Sequence, residues 1–194
     1  QVVSQLPKEQ HNSPMLSLDK TKEVGALADF AGDRKCLLSW KMDGLTVVLT
    51  YENGELVKAV TRGNGLVGEV ITNNAKTFKN IPISIPYKGR LTLRGEAIIK
   101  YSDFEQINRE IEDSKYKNPR NLCSGSVRQL NSQVTAERNV NFVAFALINA
   151  DDVDFGNSIE QQYKWMESQG FQVVEYRVVT RNSMEDAVKY FAGK

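Results

Sequence analysis

Lys41-Met42-Asp43-Gly44 sets a lysine two residues from an aspartate on a tight turn, flanked by strand-like sequence. An amine so placed is a candidate to attack a phosphorus atom. A lysine side chain is ordinarily a protonated ammonium with a pKa of about 10.4, so it must shed a proton before it reacts, helped by desolvation or a second cation nearby. The preceding Cys36-Leu37-Leu38-Ser39-Trp40 is mostly apolar and suited to wall in the stem of Lys41. Asp43 and Gly44 then turn the chain into Thr46-Val47-Val48-Leu49-Thr50-Tyr51, which reads as a strand. By composition alone K-x-D-G arises by chance in roughly one chain of this length in twenty, and a salt-bridged turn between two strands is the ordinary alternative. The segments around it decide its meaning.

The elements that must hold this turn are legible in outline. A strand is expected around residues 36–41, then a hairpin of residues 46–51 and 55–61 joined through Asn53-Gly54, a pair whose backbone preference suits a two-residue turn. Arg62-Gly63-Asn64-Gly65 is too glycine-rich to continue a strand, and a helix is expected over residues 70–78. Residues 91–99 alternate as a strand that aims Arg94 and Glu96 to the same side. Ser102-Asp103-Phe104-Glu105 reads as a capping box opening a helix with Phe104, Ile107 and Ile111 as its apolar stripe. A basic stretch, Lys115, Lys117, Arg120 and Arg128, follows as a loop suited to phosphates, with a merely solvated loop the alternative. Residues 140–148 form a nearly continuous apolar strand, residues 158–161 start a capped helix ending by Gly170, and residues 171–179 read as a strand. A short helix is expected over residues 19–31 and a last one from Ser183, with Ala187, Val188 and Phe191 inward. Residues 1–18, with Pro7 and Pro14, read as a leader or linker.

At 194 residues the chain suits one core and one domain rather than two. A net charge of +1 argues against a strongly basic nucleic-acid binder. No run of about 18 apolar residues is present, and the first residues lack the pattern of a signal peptide, so the expectation is a cytoplasmic protein with no membrane partner. Cys36 and Cys123 lie far apart with no C-x-x-C, which supports neither a metal site nor a disulfide. His11 is the only histidine, expected on the surface, which removes any Ser-His or Cys-His mechanism that does not pass through it.

Several segments share one resemblance. Ser13-Pro14-Met15-Leu16-Ser17-Leu18, Lys41-Met42-Asp43-Gly44-Leu45, Tyr51-Glu52-Asn53-Gly54 and Thr61-Arg62-Gly63-Asn64-Gly65-Leu66-Val67-Gly68-Glu69 occur in that order. Arg94-Gly95-Glu96, Asn118-Pro119-Arg120-Asn121 and Gly125-Ser126-Val127-Arg128-Gln129-Leu130 follow. Together they resemble the nucleotidyltransferase core of bacterial NAD-dependent DNA ligases. The resemblance implies an α+β fold of mainly antiparallel sheets with flanking helices, an ATP-grasp-like DNA ligase core incomplete at the C-terminus, with residues 19–194 as the adenylation domain. It implies that Lys41 attacks the α-phosphorus of NAD, expels nicotinamide mononucleotide and keeps AMP, which then passes to the 5′-phosphate of nicked double-stranded DNA in replication and repair. It places Ser17 and Leu18 at the adenosine, and Arg62 and Glu96 on the ribose side. Asp43 would orient Lys41 or help hold magnesium, for which one carboxylate among waters suffices. Arg120 and Arg128 would meet the DNA and the nick phosphate, where a guanidinium fork grips without deprotonating. A monomer is expected.

The chain also departs from that pattern. Ser39 stands where the family has a glutamate that recognises adenine, so a hydroxyl would meet the base edge with different strength and selectivity. Phe145 stands where the family tends to have tyrosine, leaving stacking in place of a polar contact. The chain ends at Gly193-Lys194 without a later D-G-x-V-x-K segment. The alternative reading is therefore a catalytically impaired, ligase-like nucleotide- or DNA-binding module. An RNA ligase or capping-type enzyme shares the lysine motif, but the R-G-x-G-x-x-G-E and N-P-R-N segments argue against it.

Overall fold

The computed structural model describes residues 8–10, 36–39, 42–63, 67–111, 115–151, 153–156, 158–179 and 189–190, with 8–10, 36–39 and 177–179 described as backbone only. Lys41, Ser17, Leu18 and His11 lie outside the described residues, as do the helix expected over residues 19–31 and the inward residues Ala187, Val188 and Phe191.

Strict alternation of apolar and polar residues builds the centre. Along Leu45–Glu52 (β3) and Leu91–Ile98 (β6) every second side chain is buried, which is the signature of a sheet with one face on a core. Glu55–Thr61 (β4) and Asn141–Ala150 (β7) complete a four-stranded antiparallel sheet of order β4-β3-β6-β7. Asn53 and Gly54 turn β3 into β4 with φ of 52° and 82°, the positive values that a two-residue hairpin of this kind demands. Val47, Leu49, Tyr51, Leu91, Leu93 and Ala97 form the buried face. Each large aliphatic side chain buried there is worth about 1.5–3 kcal/mol.

Two shorter ladders stand beside this sheet. Lys8–Gln10 (β1), within the stretch read as a leader, pairs antiparallel with Val67–Glu69 (β5). Cys36–Ser39 (β2) pairs antiparallel with Tyr176–Val179 (β8). The strand expected over residues 171–179 is thus regular only at its end. Its first half instead runs beside β7 through a single parallel bridge between Ala144 and Val173, where Ala144 N–H donates to Gln172 O and Val174 N–H to Ala144 O, both at 2.8 Å.

Helices close the buried face, contributing Ala75, Phe104, Ile107, Leu122, Cys123, Val127 and Met166 to one continuous apolar cluster. The helix expected over residues 70–78 shrinks to Thr72–Ala75 (α1), because Val70 and Ile71 continue the strand pattern: Val70 bridges Val60, and Ile71 N–H donates to Ala59 O. Tyr101–Glu110 (α2) starts earlier than the expected capping box, with Lys100 at the N-cap and no side-chain cap. Phe104 N–H already donates to Lys100 O at 2.9 Å, so Ser102 sits inside the first turn.

The basic stretch expected as a loop contains a helix, Pro119–Val127 (α3), and a second, Ser132–Ala136 (α4), follows it. Asn118 caps α3 by accepting from Asn121 N–H, with Pro119 in the first turn, where its missing N–H does no harm. Ser158 caps Ile159–Ser168 (α5) as expected, accepting from Gln161 N–H at 3.2 Å. Among the described residues no helix is long and apolar enough to cross a membrane.

Candidate active site

The face of the central sheet opposite the core carries the charged motif residues. Arg62 follows β4, and its N–H donates to Thr46 O at 2.8 Å, extending the ladder by one residue. Thr46 on β3 pairs with Glu96 on β6, and Glu96 with Val143 on β7. Arg62, Thr46, Glu96 and Val143 therefore form one row across the sheet. The next row holds Val60, Val48, Arg94 and Ala146.

Glu96 is half-buried in this row. Its Oε1 accepts the Thr46 hydroxyl at 2.7 Å, and the Gly44 N–H also donates to its carboxylate. Burial raises the Glu96 pKa above the ordinary carboxylate value; the donors Thr46 and Gly44 and the charge of Arg120 pull it back, while Asp43 pushes it further up. Asp43, Arg120 and Glu96 are therefore close enough to feel one another's charge. Gly44 is required by contact: a Cβ there would lie 2.1 Å from Ala97 O and 2.9 Å from Ile98 Cγ2. The glycine of K-x-D-G thus presses the start of β3 onto β6 and delivers its amide to the glutamate of R-G-E.

Helix α3 ties the remaining motifs together. Arg120, in its first turn, pairs with Asp43 at 3.8 Å, and Arg128, at its C-cap, pairs with Glu69 of β5 at 3.7 Å. Glu69 in turn is fixed by its own N–H, which donates to Thr61 Oγ1 at 2.9 Å. Gly63 takes φ +59°, and a Cβ on it would meet Val67 O at 1.9 Å, so glycine is what lets the backbone after Arg62 approach β5 this closely. Asn74 anchors the C-terminal end of α3 by donating from Nδ2 to Val127 O at 2.8 Å and Gln129 O at 2.6 Å.

Of the expected site residues, the structure brings Asp43, Glu96 and Arg120 together, with Arg62 in the Glu96 row. Arg128 lies at the other end of α3, with Glu69. Ser39 stands on β2, paired through its backbone with Tyr176. Thr46 is a site residue that the motifs missed; its alternation with buried Val47 and Leu49 was the available signal. Cys123 is buried against this region, donating from its thiol to Ala97 O at 3.1 Å. Burial first, and then the nearby Glu96 charge, push its pKa up to about 12, which removes it as a nucleophile. Among the described residues no group of three His, Cys, Asp or Glu could hold a metal ion.

The family of NAD-dependent DNA ligase adenylation domains matches residues 3–193 of this sequence. The chain belongs to that family. Its relatives include the DNA ligase of Lachnoclostridium phytofermentans, 63% identical over 193 residues, and that of Ruminiclostridium cellulolyticum, 60% identical over 194 residues. These alignments cover 98% and 99% of this chain, and in each case 30% of the relative. The DNA ligase of Clostridioides difficile is 36% identical over 93% of this chain and 28% of its own length. The adenylation domain thus spans about 30% of the length of the curated relatives it matches first. The solved structure Pmar-Lig_PreS3 superposes with a TM-score of 0.45 at 16% identity, over 93% of this chain and 38% of its own, a likeness too slight to add to the sequence match. The antiparallel α+β architecture agrees with the fold expected from sequence.

Proposed function

We propose that this domain forms and passes on an adenylate within a NAD-dependent DNA ligase. Lys41, two residues before Asp43, attacks the α-phosphorus of NAD. Nζ sheds its proton to water, a P–N bond forms to it, the pyrophosphate P–O bond breaks, and nicotinamide mononucleotide leaves with the bond's electrons. The AMP then moves to the 5′-phosphate of nicked double-stranded DNA, freeing Lys41.

The observation that supports this reading is the convergence of Asp43, Gly44, Arg62, Arg94 and Glu96 at one end of the central sheet with Arg120 at the start of α3. The polar inventory suits a nucleotide. Glu96 offers an acceptor for ribose hydroxyls, Arg62 stands in its row, and the buried Arg94 Nε has no hydrogen-bond partner, which leaves a donor for a ligand. Ser17, Leu18 and Ser39 complete the adenosine side. Arg120 and Asp43 form the phosphate end, where preorganised charge stabilises phosphoryl oxygens. Arg128 reaches the nick phosphate, reading backbone rather than sequence. Asp43 is the carboxylate that would hold a magnesium ion brought with the substrate phosphates, and the ion would supply charge neutralisation at the phosphoryl oxygens. The protein works as a cytoplasmic monomer.

Intact-mass spectrometry of the full-length protein after incubation with NAD and magnesium tests the reading. One adenylate per chain is expected in wild type and none in Lys41→Ala. No adduct in wild type overturns catalysis, and AMP binding retained without an adduct marks a nucleotide-binding module instead.

A further inference from the structure

We propose that Arg94 binds the purine base of the nucleotide through its Nε–H, an inference that rests on the nucleotide-pocket reading above. A guanidinium stays charged and carries only donors, and native proteins bury few donors without acceptors. Arg94 Nε is such a donor, buried and without a partner. Its own row offers none, since Val60, Val48 and Ala146 carry only hydrocarbon side chains. A ligand laid over the sheet can supply the acceptor that the row lacks.

Position selects which part of the ligand that is. Asp43 and Arg120 lie at the Gly44 end of β3, Glu96 comes next, and Arg94 stands one row further from that end, about 7 Å along the strand. A nucleotide with its phosphate beside Asp43 and Arg120 and its ribose at Glu96 therefore extends its base over the Arg94 row. Val48 and Ala146 give that row a flat apolar floor suited to an aromatic ring. At the same level β7 shifts register against β6, and the extra residue is Phe145. A purine presents ring nitrogens as bare acceptors, which is what an unpaired Nε–H requires.

The test is calorimetric binding of AMP and of ribose 5-phosphate to the full-length protein, together with steady-state adenylation by NAD. Arg94→Met is expected to weaken AMP binding about 10- to 100-fold while leaving ribose 5-phosphate binding within twofold. KM for NAD should rise with kcat little changed. An unchanged AMP affinity overturns the proposal, and an equal loss for both ligands assigns Arg94 to the sugar-phosphate and overturns it as well. A measurement on wild type avoids dependence on how the variant folds: among the 1-, 3- and 7-deaza analogues of AMP, at least one should bind roughly tenfold more weakly. If all three match AMP, the proposal fails. A wild type that forms the Lys41 adduct while Arg94→Met binds AMP normally sinks this inference alone, whereas a wild type without adduct sinks the catalytic reading.

Discussion

Thr46 Oγ1 donates to Glu96 Oε1 at 2.7 Å, joining β3 to β6 through their side chains as well as their backbones. That bond and the Gly44 amide favour the charged carboxylate, yet burial outweighs them and the Glu96 pKa stands above its ordinary value of 4.5. The sign follows by linkage: the stabilisation is fully present below the unfolded value and is lost as pH rises through the folded one. Glu96→Gln should therefore melt higher than wild type at neutral pH, with the gap closing as pH falls below 4.5. Its AMP affinity should fall. Thermal melts across that pH range check this, and a difference independent of pH contradicts it.

Gly44→Ala should be destabilising by about 1–3 kcal/mol, the usual range for forcing atoms into a packed site, because the new methyl would meet Ala97 O at 2.1 Å. It should also loosen the amide that reaches Glu96. Urea unfolding of the variant measures the loss, and a shift under about 0.5 kcal/mol would show that β3 can retreat without consequence.

Arg120 and Asp43 are 64% and 82% exposed along their side chains, so their ion pair adds little to stability. Arg120→Ala should leave the unfolding free energy within about 0.5 kcal/mol of wild type. Nicked-DNA binding should instead weaken, with the slope of log affinity against log salt falling by about one. Fluorescence anisotropy at several salt concentrations separates these outcomes; large destabilisation with unchanged DNA binding would make the pair a structural one.

Asn74→Ala removes two hydrogen bonds from a buried side chain, leaving the Val127 and Gln129 carbonyls short of a donor. A loss of roughly 1–3 kcal/mol is expected in denaturant titrations. Because Val127 precedes Arg128, the variant should also weaken nick recognition more than its distance from any ligand suggests. Equal DNA binding in Asn74→Ala and wild type would uncouple the anchor from Arg128.

The sheet was legible because its residues obey local rules. Asn53-Gly54 fixes the hairpin, and alternation fixes which side of β6 carries Arg94 and Glu96. Register was not legible. A bulge between Thr50 and Tyr51 in the β3–β4 pairing decides that Arg62 shares a row with Thr46 and Glu96, and shifts beside Leu93 and Gly95 in the β6–β7 pairing decide which β7 residues join the rows; none leaves a mark in composition. Helix α3 escaped notice because Pro119, Gly125 and two serines hide its periodicity, although Asn118-Pro119 announces its start. Ser102 misled because Lys100 closes the first turn through its carbonyl, a backbone event with no side-chain signature. The roles proposed for Asp43, Arg120 and Arg128 came from the family resemblance, and the structure adds their ion pairs, Arg120 with Asp43 and Arg128 with Glu69.

The ladder between Cys36–Ser39 and Tyr176–Val179 binds an early segment to a very late one. During synthesis, the strand that leads into the lysine motif lacks this pairing until almost all of the described chain has left the ribosome, while the central hairpin can close from neighbours alone. The pairing next to residues 40–44 is thereby completed only after the central sheet has been synthesised.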